Sequence, residues 1–460
     1  MSDKQSRKTF RFRLEEMIVK LRADILSGHY SVGDFLPSEL DLGETFQLSN
    51  NSVRKGLDVL VEEGLIEKIP RVGNRIKAPK EGEQLVIRLG CHPNLDSQAE
   101  LSSLLSEFHR KHPHIKVQTV QINNSHGYVR NFLENDLIDV FTVNHILFQE
   151  LVEGQALDVL EAQEPFDDLY PFLQKGFSQD GVMYAQPFVF SPVILCYNRD
   201  HFTEKEVPEP DSSWTWDDLI ENCSKLAVQN ERFGFYFHLL NANRWILFLL
   251  QSGETFEKDP ASGRYRIAGT KLLDGIEKAR EILYTPGVYP LLLSASNADA
   301  ERLFRDEQVS VIITTYFAMN DLKEASFEFD VAPLPHLHAF NTLLVTIGLA
   351  INKHSKVKTA ARQLVDFLVS DEAQQVIRNK TYSIPAHKQM SKWMGKTELA
   401  LPSRYQMYKE IIPSFSLFSD TKLTLKQLSE VLSECKLYWS GLKSKEKLAE
   451  SLEAVLNREI

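Results

Sequence analysis

The sequence predicts two kinds of fold in one multidomain chain, a small winged helix-turn-helix of the α+β class and a larger α/β body. Three observations support this. A length of 460 residues favours two or three domains. The first 80 residues contain three short amphipathic helical patterns and then an alternating apolar segment. From Leu85 onward, apolar strand-like runs alternate with helical patterns, as in a parallel sheet covered by helices.

The composition is that of a globular protein whose charge is unevenly distributed. Hydrophobic residues make up 43% and charged residues 25% of the chain. Residues 1–80 hold 14 Lys and Arg against 12 Asp and Glu, a net charge of +2, whereas the whole chain carries −11. A mildly basic head on an acidic body is typical of a DNA-binding module joined to a domain that does not contact nucleic acid.

Cysteine usage and hydropathy predict a cytoplasmic protein. The four cysteines are far apart and show no metal-ligand spacing, so we expect reduced, structural thiols and no metal or other cofactor: Cys91, Cys196, Cys223 and Cys435. The charged N-terminus lacks the apolar stretch of a secretory signal. No window approaches the ~18 apolar residues that span a bilayer, so we expect no membrane partner.

The first eighty residues predict three helices and a hairpin. The first helix ends at Ser27–Gly28, where glycine supplies a left-handed cap. The second follows Pro37, and the third ends at Gly64. Residues 65–77 alternate around a predicted Gly73–Asn74 turn, which indicates a β-hairpin wing. This order predicts a helix-turn-helix whose last helix can enter the major groove.

The segment from Phe12 to Lys77 closely resembles the DNA-binding domain of the GntR family of bacterial regulators. The motifs are LRADILSG, GDFLPSE, LSNNSVRKGLDVLVEEGLI and VGNRI. The resemblance implies a double-stranded operator as partner, with contacts from the start of the third helix and from the wing. We expect DNA contacts, including phosphate or groove contacts by the basic side chains, at Ser49, Asn50, Asn51, Ser52, Arg54, Lys55, Arg71, Gly73, Asn74 and Arg75.

Two positions depart from the family pattern. Leu40 follows the glutamate of the LPSE motif, where members usually have arginine, and Asn50 also stands where arginine is common. Arginine suits bidentate contact with guanine, whereas asparagine pairs with adenine. The operator is therefore expected to differ from the family's usual one or to bind more weakly.

We place the domain boundaries at a polar linker. Residues 1–78 form the predicted DNA-binding domain, residues 79–84 the linker, and residues 85–460 the effector domain. The effector domain begins with a strand, a helix and a strand, which make a βαβ unit. Ligands of such sheets bind beyond the carboxyl ends of the strands, so the loops after Leu89 and Val143 are candidates.

From about Leu85 to the C-terminus, the sequence resembles the extracellular solute-binding proteins that serve carbohydrate importers. The markers include FHRKHPHIKV, LIDVF, EGQALDVL, DGVMYAQPF, ILCYNRDHF, WTWDDLIENCSKL, VAPLPHL and SIPAHK. The resemblance implies a type II periplasmic-binding-protein-like fold, in which two lobes flank a cleft, with crossing segments near Cys196–Arg199 and Val331–Pro335. Those proteins are exported. Because we expect this chain to stay inside the cell, the cleft would sense an intracellular small molecule.

A sugar site combines an aromatic platform with polar partners for the hydroxyl groups. Candidate positions lie at strand ends, near the first crossing segment and in the second lobe: His92, Asn94, Asn144, Tyr184, Phe188, Trp245, Tyr316 and Phe317. Trp214, Trp216 and Asp139 are predicted to be structural instead.

Three alternatives remain open at this point. Some GntR regulators carry an aminotransferase-like body that binds pyridoxal phosphate, but no matching lysine and aspartate, and no catalytic motif, stands out here. The ligand could instead be an amino acid, peptide, polyamine or sugar phosphate, or the cleft could be vestigial. We expect no enzymatic activity and, from the family and the helix-turn-helix geometry, a homodimer.

Overall fold

The computed structural model describes residues 13–458 apart from 15–16, 19, 23, 26–29, 31, 63, 71, 78–84, 123–125, 291–297, 394 and 396. In the head, the described positions between 13 and 25 are helical. Helices α1 (Glu39–Phe46) and α2 (Asn50–Glu62) follow, and then the antiparallel hairpin β1 (Ile66–Ile69) and β2 (Gly73–Ile76). These elements share one core, which includes Met17, Leu21, Leu42, Val53, Leu57, Leu60 and Ile66. The predicted winged helix-turn-helix is therefore confirmed.

Local chemistry explains where the helices of the head begin and how they pack. Ser38 caps α1 reciprocally with Asp41, since each side chain accepts the other's backbone N–H at 3.2 Å. Gly56 lies where α2 meets the first helix, and a Cβ there would stand 2.2 Å from the Met17 Cε atom. Glycine thus allows the two helices to approach closely.

The predicted turn of the wing is wrong by about two residues. Gly73 pairs with Ile69 within the hairpin, so the turn lies between these two residues rather than at Gly73–Asn74. Pro70 explains the shift, because a residue without an N–H cannot continue the ladder and favours a turn. The backbone N–H of Val72 then closes the turn on the Ile69 carbonyl at 3.0 Å.

The body is built on one long mixed sheet of order β4-β3-β5-β12-β8-β10-β9. Strands β11 and β13 pair with β8, and β14 pairs with β12. The bounds are β3 (Leu85–Cys91), β4 (Ile115–Gln121), β5 (Val140–Asn144), β6 (Ser178–Gln179), β7 (Val182–Met183), β8 (Ala185–Asn198), β9 (Phe233–Tyr236), β10 (Val309–Thr315), β11 (Phe329–Ala332), β12 (Thr342–Ile351), β13 (Ile384–Pro385) and β14 (Phe415–Ser416). Strands β3, β4 and β5 are parallel, as the βαβ pattern predicts.

Strand β8 belongs to both lobes. Its residues 185–192 pair with β12 in the first lobe, and its residues 193–198 pair with β10 and β11 in the second. The first crossing therefore lies near Pro192–Val193, a few residues before the predicted Cys196–Arg199. The second crossing lies between Ala332 and Thr342, which overlaps the predicted segment.

Helices cover the sheet, and most follow the predicted alternation. They are α3 (Leu95–Ala99), α4 (Leu101–Lys111), α5 (His126–Glu134), α6 (His145–Glu153), α7 (Pro171–Lys175), α8 (Arg199–Glu204), α9 (Trp216–Leu226), α10 (Ala242–Leu250), α11 (Leu272–Tyr284), α12 (Asp299–Arg305), α13 (Lys358–Val369), α14 (Asp371–Lys380), α15 (Lys388–Lys392), α16 (Leu425–Trp439) and α17 (Lys445–Leu456). The predicted single helix after β3 is two helices, because Glu100 adopts a left-handed φ of 54° between them.

Residues predicted to be structural are confirmed as such. Trp216 is buried and donates its indole N–H to Gln251 Oε1 at 2.6 Å, and Trp214 is buried as well. Asp139 accepts from the Arg88 side chain at 2.9 Å and is also buried. These contacts anchor the two lobes internally.

Candidate functional site

The start of α2 is the first candidate site. Ser49 caps the helix, since its Oγ accepts the backbone N–H of Ser52 at 3.3 Å. The two serine hydroxyls are 2.7 Å apart, and Ser52 is only 5% exposed. Ser52 is therefore part of the cap, and its DNA contact stays a prediction. Ser49, Asn50 and Asn51 are exposed at the helix start, where they stay predictions.

Arg54 is exposed but already has a partner. Its Nε donates to Glu39 Oε2 at 2.7 Å, across from α2 to α1. Before DNA binds, the ion pair holds the guanidinium in place. Because an exposed ion pair is weak, a DNA phosphate can then replace the carboxylate. Lys55 is exposed beside it, and Leu40, the family departure, is 60% exposed.

In the wing, the hairpin register separates the predicted residues. Gly73 is exposed with φ of 145°, a conformation that favours glycine. Asn74 is 7% exposed and points into the head, and its DNA contact stays a prediction. Arg75 points outward and donates its Nε to Glu67 at 2.8 Å. Arg71 lies outside the described residues.

In the body, polar side chains gather at the carboxyl ends of β3 and β5. His92 follows β3 and is half-buried, with its Nε2 atom 3.0 Å from Gln98 Oε1 and its Nδ1 atom 3.5 Å from the Thr142 hydroxyl. Burial lowers the pKa of His92, more than the hydrogen bond to Gln98 raises it. Asn94 is exposed, and it makes no capping bond to α3. Asn144 caps α6, since its Oδ1 accepts the Leu147 N–H at 2.8 Å.

The most informative residue at this edge is His145, which the sequence analysis did not single out. It is only 6% exposed, and its ring stacks on Phe418 with centroids 5.2 Å apart. The Thr346 N–H points to its Nδ1 atom at 3.5 Å, which assigns the proton to Nε2. Nε2 has no hydrogen-bond partner among the described residues, and neither has the buried Thr346 hydroxyl. We call His145, Thr346 and Phe418 the His145 cluster.

Electrostatics keep His145 neutral. Burial lowers its pKa to about 4, against a small opposing effect of the backbone hydrogen bond. A neutral imidazole with a free N–H and a neighbouring free hydroxyl can bind a polar, uncharged group, and the Phe418 ring adds an apolar surface. The signal in the sequence was its position directly after Asn144.

The aromatic candidates near the crossing are more buried than predicted. Phe188 is completely buried and lies at a bulge, where the β12 register shifts between Ile347 and Gly348. Its carbonyl accepts from Gln374 and Ala386, so Phe188 belongs to the core, and its ligand contact stays a prediction. Tyr184 is half-buried and packs on the core of the first lobe, where its role stays a prediction.

In the second lobe, Trp245, Tyr316 and Phe317 are all buried. The Tyr316 hydroxyl donates to the Tyr405 carbonyl at 2.8 Å, and burial raises its pKa well above the ordinary value. Its backbone N–H donates to Ser191 Oγ at 2.7 Å. The polar atoms of Tyr316 are thus satisfied within the protein, and its ligand contact stays a prediction. Trp245 and Phe317 stay predictions.

A buried arginine next to Trp245 was also missed. Arg244 lies in the first turn of α10 and is buried, and among the described residues its side chain donates only a long 3.4 Å bond to the Asn243 carbonyl. Burial lowers its pKa to about 10, whereas the charge of Glu301 raises it. Burial raises the pKa of Glu301, which accepts the Thr314 hydroxyl at 2.6 Å.

No metal centre stands out in the described ranges, where no three His, Cys, Asp or Glu side chains come together as ligands. The four cysteines are free and buried, and burial raises the pKa of each thiol. Among the described helices, none has both the length and the apolar character needed to cross a bilayer.

Two family models match this chain. Residues 92–375 match the family model of the bacterial extracellular solute-binding proteins. The chain belongs to this family. Residues 14–76 match a second model, that of the bacterial regulatory proteins of the gntR family. The chain thus combines a GntR regulator domain with a solute-binding domain, and both families are non-enzymatic.

Individual relatives cover less than half of this chain each. A binding protein of Brucella abortus is 24% identical over 46% of this chain, and the match spans about half of that protein, 53%. The galactooligosaccharide-binding protein of Bacillus subtilis is 22% identical over 46% of this chain and 51% of its own length. The transcriptional regulator YieP of Escherichia coli is 40% identical over 12% of this chain and 25% of its own length.

Solved structures support the fold of the solute-binding domain. The GacH receptor of Streptomyces glaucescens, solved unliganded and with acarbose, superposes with a TM-score of 0.69 at 14% identity, covering 82% of this chain and 99% of its own. Lmo0181 of Listeria monocytogenes, in complex with cycloalternan, gives 0.66 at 21% identity, covering 81% and 98%. The two-lobed prediction is confirmed.

Proposed function

We propose that this chain is a transcription regulator that binds operator DNA through its GntR domain and senses a sugar or oligosaccharide in the cleft of its solute-binding domain. One observation supports the proposal above all: a gntR-family match and a solute-binding match lie side by side in a single chain. A transport receptor does not need a DNA-binding head, whereas a ligand-controlled regulator needs both parts.

The His145 cluster supports a sugar as the ligand. The Nε2 donor of His145, whose ring stacks on Phe418, and the hydroxyl of Thr346, whose backbone N–H points to the same ring, are buried without partners among the described residues. A buried polar atom without a partner is costly, so such atoms favour a ligand that supplies hydroxyl groups. A sugar also presents C–H faces that pack on aromatic rings. The solved relatives bind acarbose and cycloalternan.

The remaining parts of the proposal concern organisation. Residues 1–78 act as the DNA-binding domain, residues 79–84 as a linker, and residues 85–460 as the effector domain. The protein works in the cytoplasm, where its operator is, as a homodimer whose two heads bind half-sites about 34 Å apart, one helical turn of DNA. The free, buried cysteines are compatible with a reducing compartment.

Ligand control would act through closure of the two lobes. Glu100 follows α3 in the first lobe, and its carboxylate is 3.6 Å from Lys323 Nζ in the second lobe. A sugar that binds the closed form more tightly would favour this contact and shift the population towards closure. Closure would then move the linker or a dimer contact and change the spacing of the two heads.

The test uses the full chain in two assays. Thermal unfolding across a panel of oligosaccharides identifies a ligand, which at 100 times its Kd should stabilise by about 2.7 kcal/mol. Anisotropy of a labelled promoter duplex, with and without that sugar, then measures the coupling. Arg54→Ala tests the DNA arm and Thr346→Val the sugar arm. An operator affinity that does not change at saturating sugar would refute the coupling, and a panel without any stabilising sugar would refute the ligand class.

A further inference from the structure

A buried guanidinium lies away from the His145 cluster, on α14. Arg378 is 2% exposed, and its guanidinium carbon is 4.7 Å from the centroid of the Tyr405 ring. Nη2 donates to the Trp393 carbonyl at 3.3 Å. The Nε and Nη1 atoms are buried and have no hydrogen-bond partner among the described residues. Most of the hydrogen-bonding capacity of this side chain is therefore unused.

Arg378 also lacks a counter-charge. In the described part of the chain, no carboxylate oxygen lies within 4.0 Å of its nitrogens. Arginine stays charged when buried, and a buried charge without a partner is strongly unfavourable. Stacking on Tyr405 compensates only part of this cost. An anion would compensate the rest by accepting charge-assisted hydrogen bonds.

Two lysines are close in the chain to residues that contact Arg378. Lys409 belongs to the 3-10 turn that also contains Tyr405, and Lys392 ends α15, directly before Trp393. The pKa of Lys409 is lowered by burial first and then by the charges of Lys392 and Arg378. Lys409 is half-buried and Lys392 is exposed, so both lysines can be reached from solvent, whereas Arg378 is buried. Among the described residues, none of the three cations forms an ion pair with a carboxylate within 4.0 Å, in a chain whose net charge is −11.

Neutral polar atoms nearby are also without partners. Both amide atoms of Gln406, the residue after Tyr405, are buried and make no hydrogen bond among the described residues. The Oδ1 atom of Asn379, the residue after Arg378, is in the same condition. Of these three atoms only Gln406 Nε2 is a donor, which adds to the unused Nε and Nη1 donors of Arg378, whereas the two amide oxygens can accept only from a protonated oxygen of a ligand.

We propose that Arg378, Lys409 and Lys392 bind a small oxyanion of the phosphate type. The planar guanidinium matches the spacing of two oxygens of a tetrahedral oxyanion, and the lysines supply point charges. This site shares no residue with the His145 cluster. Tyr405 connects it to the second lobe, because its carbonyl accepts the Tyr316 hydroxyl at 2.8 Å.

The experiment titrates the full chain with inorganic phosphate at constant ionic strength and follows binding by calorimetry and thermal unfolding. We expect saturable binding and a phosphate-dependent rise in Tm. Lys409→Gln should weaken binding about tenfold, since it removes one charge-assisted hydrogen bond. The matched control is Lys436→Gln, an exposed lysine of α16 whose loss should leave phosphate binding unchanged.

The outcomes separate this site from others. Equal binding by Lys409→Gln and the parent chain would place the phosphate elsewhere, for example at Arg244, and would overturn the proposal, as would the absence of saturable binding. Sulfate that competes with phosphate supports a tetrahedral oxyanion, whereas competition by chloride alone refutes that class. Arg378→Lys should also weaken phosphate binding. If this buried substitution prevents folding, Lys409→Gln still tests the site, because Lys409 is partly exposed.

Discussion

Two buried threonines of β12 allow a paired test of the His145 cluster. Thr342 and Thr346 are both 1% exposed and lie on the same strand. The Thr342 hydroxyl donates to the Val193 carbonyl at 2.6 Å, whereas the Thr346 hydroxyl has no partner among the described residues. Valine has nearly the shape of threonine, so each Thr→Val substitution removes a hydroxyl and little else.

The two substitutions should change stability in opposite directions. A hydroxyl buried without a hydrogen bond costs about 1–3 kcal/mol, so Thr346→Val should stabilise the sugar-free protein by about 1 kcal/mol or slightly more. Thr342→Val loses a hydrogen bond and leaves the Val193 carbonyl unpaired, which should destabilise by about 1–3 kcal/mol. In domains of 150–250 residues, 1 kcal/mol shifts Tm by about 2–4 °C, and the larger body here should shift by somewhat less.

The same pair separates stability from ligand binding. Thr346→Val should weaken the sugar identified in the panel by about 2- to 10-fold, since it removes one neutral hydrogen bond. Thr342→Val should leave the sugar's Kd unchanged once the protein is folded. Differential scanning fluorimetry and calorimetric titration measure the two effects. A Thr346→Val protein that is less stable than the parent would refute the claim that this hydroxyl is unsatisfied, and unchanged sugar affinity would remove Thr346 from the site.

Three further predictions concern charge and the crossing segments. Burial lowers the pKa of His145 to about 4, below the ordinary 6.5, so the unfolded state binds a proton first as pH falls. The free energy of unfolding should therefore drop by up to about 3 kcal/mol between pH 6.5 and 4. His145→Phe should remove this part of the pH dependence, as measured by melting curves at several pH values. Arg54→Ala should weaken operator binding and reduce the slope of log K against log salt by about 0.9, as measured by anisotropy at several salt concentrations; an unchanged slope would exclude a phosphate contact. Gln251 is completely buried, accepts from Trp216 Nε1 and donates to the carbonyls of Pro335 and Asn341. Gln251→Leu should therefore destabilise the protein by about 3 kcal/mol or more in chemical unfolding. In the double variant, Trp216→Phe should recover part of that loss, because it removes the indole N–H left without a partner.

The sequence predicted elements and domain order because these depend on local periodicity. Alternating strands and helices, capping residues such as Ser38, and the wing all left a pattern in the chain. What failed was register. The wing turn was predicted at Gly73–Asn74, whereas it lies between Ile69 and Gly73. Asn74 therefore belongs to β2, where its side chain is buried, instead of lying in an exposed turn.

The functional residues were harder to predict, for a different reason. Asn144 was found because a polar residue at a strand end is visible in the sequence, yet in the structure it caps α6. His145 and Arg378 were missed because their significance is the absence of a partner, and a missing partner can be recognised only when all neighbours are in place. Phe188 is the opposite case. Its position near a crossing segment favoured an aromatic platform for the ligand, but in the structure it lies at a bulge and packs in the core.

Strand β8 runs through both lobes and connects them. Pro187 and Pro192 lack the N–H donor, so the ladder with β12 is weakened near both residues, and the register shift lies opposite Pro187. At the crossing, side chains replace the missing ladder bonds: Ser191 Oγ accepts the Tyr316 N–H at 2.7 Å, and Thr342 Oγ1 donates to the Val193 carbonyl at 2.6 Å. A change of angle between the lobes is expected to alter the Ser191–Tyr316 bond, which joins β8 to the residue after β10. Because Tyr316 also binds the carbonyl of Tyr405, which stacks on Arg378, lobe movement and occupancy of the Arg378 site would act on the same short chain of contacts.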